Sequence, residues 1–385
     1  PASAPALVLS GRPRLTSGVA SGDVTTTGAT VWARADRPSR LVVTLHGRGG
    51  ARRCLRGPWA GQDTDFTAKL DLTSLGPGRE HRLTVAFENG EGRIGESADL
   101  SLRTGALHPS PVSFVWSGDT CGQGWGINPD VGGLTAYAAM HATRPDFFLH
   151  SGDTVYADGP ISERVVEPDG QVWRNIVTPE VAKVAESLGE FRGRHRYNLI
   201  DTNVRSMYAD VPVIAQWDDH ETHNNWYPGQ ILDDVRYTER RVDVLARRAK
   251  RAWWEYQPIS NRLSTRRPSD PSRPGRIYRK VPYGHHLDVF ALDMRTFKDP
   301  NTPGLEKRRT SILGQEQAEW LVREVSRSRA TWKVIAADLP LGLVVPDGPV
   351  NEESLSNRDP GRPLGKELEL AAVLSAFKRR KVRNV

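Results

Sequence analysis

The sequence predicts an α/β protein in two parts, a β-sandwich over residues 1–108 and a layered α/β domain over residues 109–385. Three observations predict it. The first hundred residues read as strands only, short β-branched or alternating stretches divided by Gly-, Pro- and Asp-rich turns. From Ser113 onward, short apolar runs alternate with stretches of helical spacing. Five of those runs end in aspartate, at Asp119, Asp153, Asp218-Asp219, Asp293 and Asp338.

Taken in order, "GATVWARA", "RLVVTLHG", "TDFTAKLDL" and "EHRLTVAFEN" are the expected strands of the first part, and "TGALHPSP" is the linker. In the second part the strands are "VSFVWSG", "DFFLHSG", "VPVIAQW", "LDVFAL" and "WKVIAA". "GGLTAYAAMHAT" reads as a helix with Leu134, Tyr137, Ala138 and His141 on one face. Residues 233–257 read as a second, where Val235, Val242, Leu245, Ala249, Trp253 and Tyr256 recur until Pro258 stops the pattern. "GQEQAEWLVREVSRS" is a third. "PEVAKVAESLGEFRGR" is helical in pattern but has no evident layer, and residues 343–365 read as a long surface loop. "LAAVLSAFKRRKVRNV" reads as a helix followed by the first residues of another strand. That strand's backbone groups would lack partners, so the polypeptide is expected to be one piece of a longer one, with C-terminal strands missing from this chain.

Composition narrows the function classes. Hydrophobic residues make up 38% and charged residues 26%, as in globular proteins. No apolar run approaches the ~18 residues of a membrane span. The N-terminal "PASAPALVLSG" lacks a basic start and an apolar core and reads as the mature end left by a removed leader, so secretion is expected. The charge of +7 comes from 53 bases and 46 acids spread along the chain and reads as a solvated surface, the sharper alternative being that it favours encounter with anionic substrates such as phosphate esters or acidic lipid surfaces. The basic runs 240–251 and 262–276 carry no nucleic-acid-binding module, so no nucleic acid is expected. The cysteines, Cys54 and Cys121, can form one bridge at most.

In layered α/β domains, ligands gather outside the carboxyl ends of the strands. One aspartate there reads equally well as a helix cap. Five in one domain repel one another unless a cation neutralises them, so a metal centre is expected. The tetrapeptide Ser-Gly-Asp-Thr closes two of the runs, with its aspartates 34 residues apart. The first copy brings Cys121 as a second donor, the second brings Tyr156. A phenol ionises near neutral pH only beside a strongly charged hard cation, which favours ferric iron over magnesium or calcium. Oxygen-only donors nearby would suit calcium. The plainer alternatives are a packed aromatic for Tyr156 and a small buried hydrophobe for Cys121. The most specific stretch is "QWDDHETHNNW", residues 216–226, where a strand runs directly into Asp218, Asp219, His220, Glu221, His223, Asn224 and Asn225.

The order Asp-x-Cys, Gly-Asp-x-x-Tyr, Trp-Asp-Asp-His-Glu-x-x-Asn-Asn resembles the PhoD-like family of metallophosphoesterases. "GDTCGQGWGIN", "HSGDTVYADGPI", "WRNIVTPEVAKVAE" and "EFRGRHRYN" are similar to its secreted, iron-dependent phospholipase D branch from streptomycetes. The resemblance implies an immunoglobulin-like domain ahead of a catalytic domain of two β-sheets flanked by helices, with Fe(3+) and Ca(2+) as cofactors. It puts Asp119 and Cys121 on the first metal motif, either one binding iron. It makes Asp153 the bridging carboxylate, Tyr156 the phenolate, Asp219 a ligand of the second metal and His220 the catalytic histidine. Asn224 or Asn225 then ligates calcium or touches substrate, and Arg295 binds phosphate, its alternative being an ordinary surface arginine. The family's last metal motif, Gly/Ala-Asp-Val-His, is absent. The resemblance therefore implies a companion C-terminal fragment carrying the remaining Asp and His, and a bare 1–385 chain that is inactive or metal-poor. The expected reaction is hydrolysis of a phospholipid phosphodiester by metal-activated hydroxide, for instance phosphatidylcholine to phosphatidate and choline, with peripheral contact to a membrane surface. The alternatives are a phosphatase or phosphodiesterase for soluble phosphate esters, and a calcium-holding lipid- or wall-binding protein without turnover. A serine hydrolase is disfavoured, since no Gly-x-Ser-x-Gly occurs.

Overall fold

The structure, a computed structural model, describes residues 11–264, 274–345, 350 and 354–385. Residues 1–10, and parts of the basic run 262–276 and of the loop 343–365, lie outside the described residues. The first seven strands are β1 (Leu15–Gly22), β2 (Ala29–Ala35), β3 (Ser39–His46), β4 (Arg52–Ala60), β5 (Thr67–Leu72), β6 (Glu80–Glu88) and β7 (Ile94–Arg103). They form two antiparallel layers, β5-β2-β1 and β4-β3-β6-β7. Alternate residues of each strand point inward, so Val31, Ala33 and Ala35 meet Leu41, Val43, Leu83, Val85 and Phe87 in one core.

The second part adds β8 (Phe114–Ser117), α1 (Thr135–Ala142), β9 (Phe147–His150), β10 (Arg164–Val166), β11 (Val172–Arg174), α2 (Leu188–Asn198), α3 (Thr202–Asp210) and β12 (Val213–Ala215). It continues with α4 (Val242–Tyr256), α5 (Asn261–Ser264), β13 (Arg279–Pro282), β14 (Leu287–Ala291), α6 (Gly314–Arg327), β15 (Trp332–Ala336) and α7 (Glu367–Arg379). Strands β8, β9 and β12 are parallel and extend the first layer of the sandwich into one six-stranded sheet, β5-β2-β1-β12-β9-β8. The junction is a parallel contact between Gly22 and Val213. A Cβ on Gly22 would stand 2.5 Å from the carbonyl oxygens of both Val213 and Pro258, so the junction admits only glycine. Hydrogen bonding thus runs across the linker at which the sequence changes style.

A second sheet, β13-β14-β15, lies against the first. Phe147, Leu149 and Ile214 of one meet Leu287, Val289 and Ala336 of the other. The alternate residues face outward to helices. Phe148, Val213 and Ala215 pack on Val204, Met207, Leu245 and Trp253 of α3 and α4. Phe290 and Leu292 pack with Leu321, Val325, Val373 and Phe377 of α6 and α7. Each large side chain buried this way contributes ~1.5–3 kcal/mol. The result is a helix–sheet–sheet–helix stack, mixed α/β as the sequence predicts.

Four details refine the sequence reading. The helix expected from 233 begins at Val242, and Val235, counted on its apolar face, is fully exposed. Local bonds hold the preceding turn instead. Asp234 accepts from the Arg236 N–H at 2.9 Å and pairs with its guanidinium at 2.6 Å. The "PEVAKVAESLGEFRGR" stretch is helical only from Leu188, where Ser187 and Glu190 close a capping box. Cys54 and Cys121 are both free thiols. Residues 382–385 form no strand, although the Lys333 N–H of β15 donates to the Asn384 carbonyl at 2.8 Å.

Candidate metal centre

The loops leaving β8, β9 and β12 start at neighbouring carboxyl ends of one parallel sheet, so their first residues meet. The Ser-Gly-Asp-Thr turns are bonded to each other through the backbone. Asp119 N–H donates to the Gly152 carbonyl at 3.2 Å, and Thr120 N–H to the Asp153 carbonyl at 2.9 Å. Asp119, Cys121, Asp153 and Asn225 all hold left-handed backbone, with φ of 58°, 58°, 51° and 57°. Each such residue costs on the order of 1 kcal/mol and persists only where surrounding bonds fix it.

Glu221 is the buried tie between the loops. One carboxylate oxygen accepts from Thr154 N–H and Thr154 Oγ1, both at 2.7 Å, and the other from Asp218 N–H at 2.8 Å and Asp153 N–H at 3.3 Å. The His220 N–H donates to Asp153 Oδ1 at 3.1 Å. Donor atoms of Asp153, Asp219 and His220 come within 4.8 Å of one another. The His220 ring stacks on Tyr156 with centroids 4.1 Å apart, and its Nδ1 meets the Asp158 carboxylate at 2.8 and 2.9 Å. Asp158 also accepts from Asn224 N–H at 2.7 Å.

The electrostatics are those of an acid cluster that Arg295 neutralises in part. Burial, then Asp218, Asp219, Glu221 and Asp119, push the Asp153 carboxyl far above the usual range. Burial together with Asp153, Asp119 and Asp219 likewise raises the Tyr156 phenol. Burial also raises Glu221, to about 7, against the bonds it accepts. Burial works against charge on Asp219 too, but Arg295 and His220 outweigh it and hold that carboxyl below the usual range. Burial opposes charge on His220, yet the bond to Asp158 and the Asp219 carboxylate raise the imidazole to about 9.

Most predicted site residues come together here. Asp119 bears on both Asp153 and Tyr156. Asn225 donates its N–H to Asp219, and its carbonyl accepts from Asn301 Nδ2 at 2.8 Å. Arg295 is fully buried rather than on the surface. Its Nε lies 2.5 Å from Asp218 and 3.5 Å from Asp338, and its Nη1 3.6 Å from Asp219. Cys121 stands apart, its side chain packed with Ile127, Ile161, Val181 and Tyr197, and burial with Asp201 nearby pushes its thiol up to about 12. Asp293, the fourth strand-end acid, caps its own turn through Thr296 N–H at 3.0 Å and holds the Trp217 indole at 2.9 Å. Sequence reasoning counted Asp338 among the acid-tipped strands and Glu221 in the 216–226 stretch without giving either an individual role, and it passed over Asp158. For Asp158 the signal was its place two residues after Tyr156, though in "YADGP" it reads as a turn. A hard cation fits beside Asp153 and Asp219, whose donor atoms lie within 4.8 Å of each other, because the buried Asp153 carboxylate among its acidic neighbours keeps its charge only beside one.

The model of the PhoD-like phosphatase family matches residues 114–385, and that of the PhoD-like phosphatase N-terminal domain matches residues 2–98. Alkaline phosphatase D of Bacillus subtilis (strain 168) is 31% identical over 218 residues, which are 54% of this chain and 35% of the relative. The chain thus spans about a third of the length of that curated relative. A solved structure described as "Structure of PhoD" superposes with a TM-score of 0.71 at 21% identity, covering 96% of this chain and 70% of its own. The purple acid phosphatase PPD1 from yellow lupin (Lupinus luteus) seeds superposes with a TM-score of 0.55 at 14% identity, covering 96% and 57%. These two share the fold, an N-terminal β-sandwich followed by a two-sheet metallophosphoesterase domain. With its family model matched over most of its length and the acid-tipped strands in place, the chain belongs to the PhoD-like phosphatase family.

Proposed function

We propose that the chain is the metal-holding part of a secreted phosphoric ester hydrolase that cleaves phospholipid phosphodiesters in the manner of a phospholipase D. The observation that carries the hydrolase reading is the convergence of Asp153, Asp219 and His220 within 4.8 Å, where burial and neighbouring carboxylates push Asp153 far above the usual range. The phospholipid reading rests on the motif resemblance alone. Asp153 and Asp219 would hold the cation pair, with Asp119 and Tyr156 beside them. Tyr156, with its phenol held protonated by burial and its acidic neighbours, would become a ligand only to a highly charged ion, which favours Fe(3+), while the oxygen-only donors nearby would suit Ca(2+). A cation held there supplies Lewis acidity, lowering the pKa of bound water and offsetting phosphoryl charge.

The chain's own residues divide the remaining work. His220, charged at neutral pH and oriented by Asp158 through Nδ1, presents Nε2 to protonate the departing alkoxide. Arg295 holds Asp218, Asp219 and Asp338 in place, and its buried charge would help offset charge on a phosphoryl group bound at the cluster. Strand β15 lies at the edge of its sheet, beside an apolar cavity of about 650 Å³ lined by Leu292, Met294, Ile335, Val373, Phe377 and Val382. Beyond Lys333, which bonds Asn384, a further strand would fit along that edge, in keeping with the companion C-terminal fragment that the resemblance implies.

A second reading, a phosphatase for soluble esters, is favoured by the name of the Bacillus relative. One experiment separates the two: turnover of phosphatidylcholine vesicles, a soluble phosphodiester and a soluble phosphomonoester, with metal analysis of the same sample. Turnover of phosphatidylcholine to phosphatidate at a rate above the other two supports the lipid reading. Turnover of the soluble esters alone supports the second. Full turnover of any of the three by metal-free protein contradicts both.

A further inference from the structure

The duplicated Ser-Gly-Asp-Thr raises the question of what the two threonines do. They hold their turns from different directions. Thr154 bonds Glu221, as described. Thr120 lies between Asp119 and Cys121, and its hydroxyl points away from the acids into the fold. Thr120 Oγ1 stands 2.7 Å from Tyr137 Oη on α1 and 3.0 Å from His150 Nε2 at the end of β9. Tyr137 Oη in turn lies 3.4 Å from that nitrogen. All three side chains are buried, at 5%, 5% and 1% exposure. His150 sits three residues before Asp153, so the triad joins the base of one turn to the middle of the other. Tyr137 is fixed in turn by edge contacts with Phe148 and Tyr208 at 6.0 Å.

We propose that Thr120, His150 and Tyr137 are positioning residues, a buried triad that fixes the left-handed Asp119–Cys121 turn so that the Asp119 carboxylate faces Asp153 and the cation. Two neighbouring left-handed residues flank Thr120, and the backbone bonds to Gly152 and Asp153 alone leave its side chain free to rotate. The hydroxyl bonds remove that freedom. None of the three side chains touches the reacting atoms. The triad is also uncharged around neutrality, since burial pushes the His150 imidazole down to about 4 and the Tyr137 phenol far up. It orients the acids without adding to their field.

This inference rests on the acid cluster binding cations, and not on the substrate. Its test is Mn(2+) affinity, read by electron paramagnetic resonance of the free ion, for the parent chain, Thr120→Val and Thr120→Ser. Valine keeps the size and loses the hydroxyl; serine keeps the hydroxyl. The expected result is Mn(2+) binding weakened threefold or more by Thr120→Val, and by less than threefold by Thr120→Ser. A smaller effect of valine, an equal loss with serine, or a parent that binds no Mn(2+) overturns the proposal. If Thr120→Val does not fold, Tyr137→Phe serves, with near-ultraviolet circular dichroism to check its packing. A threefold or greater loss supports the triad, and an unchanged affinity refutes it. A chain that binds Mn(2+) but, even together with its C-terminal companion, cleaves no phosphodiester would refute the proposed reaction and leave the triad standing.

Discussion

Replacing Asp158 by asparagine separates the acid role of His220 from its mere presence. The imidazole is raised from its ordinary 6.5 to about 9, with burial opposing and Asp158 the leading support. That elevation amounts to roughly 3 kcal/mol, taking ~1.36 kcal/mol per pH unit. Asparagine keeps the shape and an acceptor for Nδ1–H but loses the charge. Asp219 remains, so the imidazole should fall by about two pH units, to roughly 7. At pH 8 the protonated fraction then drops from ~0.9 to ~0.1, a loss of about tenfold in kcat/KM, whereas at pH 6 both forms stay protonated and the loss is under ~1.5-fold. The sign follows from the role. An acid must carry its proton, so lowering its pKa pulls the basic limb of the profile downward. The assay is kcat/KM on a soluble phosphodiester from pH 5.5 to 9.5, with the His220 ring followed by NMR. A basic limb unmoved by Asp158→Asn, or an equal loss at every pH, would refute the reasoning.

Other outcomes follow from the same contacts. Asp153→Asn removes a carboxylate whose charge its neighbours oppose, so the apo form should melt a few degrees higher, while the rise in Tm with added Mn(2+) is lost; scanning calorimetry with and without the ion reads both. Burial and the Arg196 charge hold His195 down to about 3, so the ring is neutral in the fold and the unfolded chain takes up the proton below pH ~6.5. Stability is therefore full above that pH and falls below it, by up to roughly 3 kcal/mol at pH 4.5, and His195→Phe should flatten this slope in urea titrations. The Asp23–Arg279 pair has both side chains at 0% exposure with a closest contact of 2.7 Å. Arg279→Met should cost ~3–5 kcal/mol by leaving a buried charge, and Asp23→Asn added to it should recover most of the loss in chemical denaturation.

The parts of the fold legible in the sequence are those where burial and chemistry agree. β-branched inward faces marked β2, β3, β6, β9 and β14, and the acid-tipped ends marked the site. The strands β1, β4 and β7 were not legible, for separate reasons. "LTSGVASG" is built of small residues because β1 lies inside the sheet and meets β12 at a glycine. "RRCLRGPWA" is an edge strand whose Arg52, Arg53 and Arg56 face water, which erases the apolar alternation. β7 is the opposite edge, largely exposed through its first half. Val235 matched helical spacing by coincidence, since side-chain bonds of Asp234 and Glu239 to following arginines decide the backbone there. Arg295 could be picked out by sequence, but its burial among three carboxylates could not, because they arrive from β12 and β15. Cys121 looked like a donor by spacing. Its left-handed φ turns the side chain toward an apolar pocket, a reversal that spacing does not encode.

The central claim is that acids from separate strand ends share cations, and crystallography tests it most directly. Anomalous difference density from crystals grown with Mn(2+) should place an ion ~2.0–2.6 Å from Asp153 and Asp219 oxygens. Ions found only at other carboxylates, with Asp153 and Asp219 left uncoordinated at saturating Mn(2+), would contradict it.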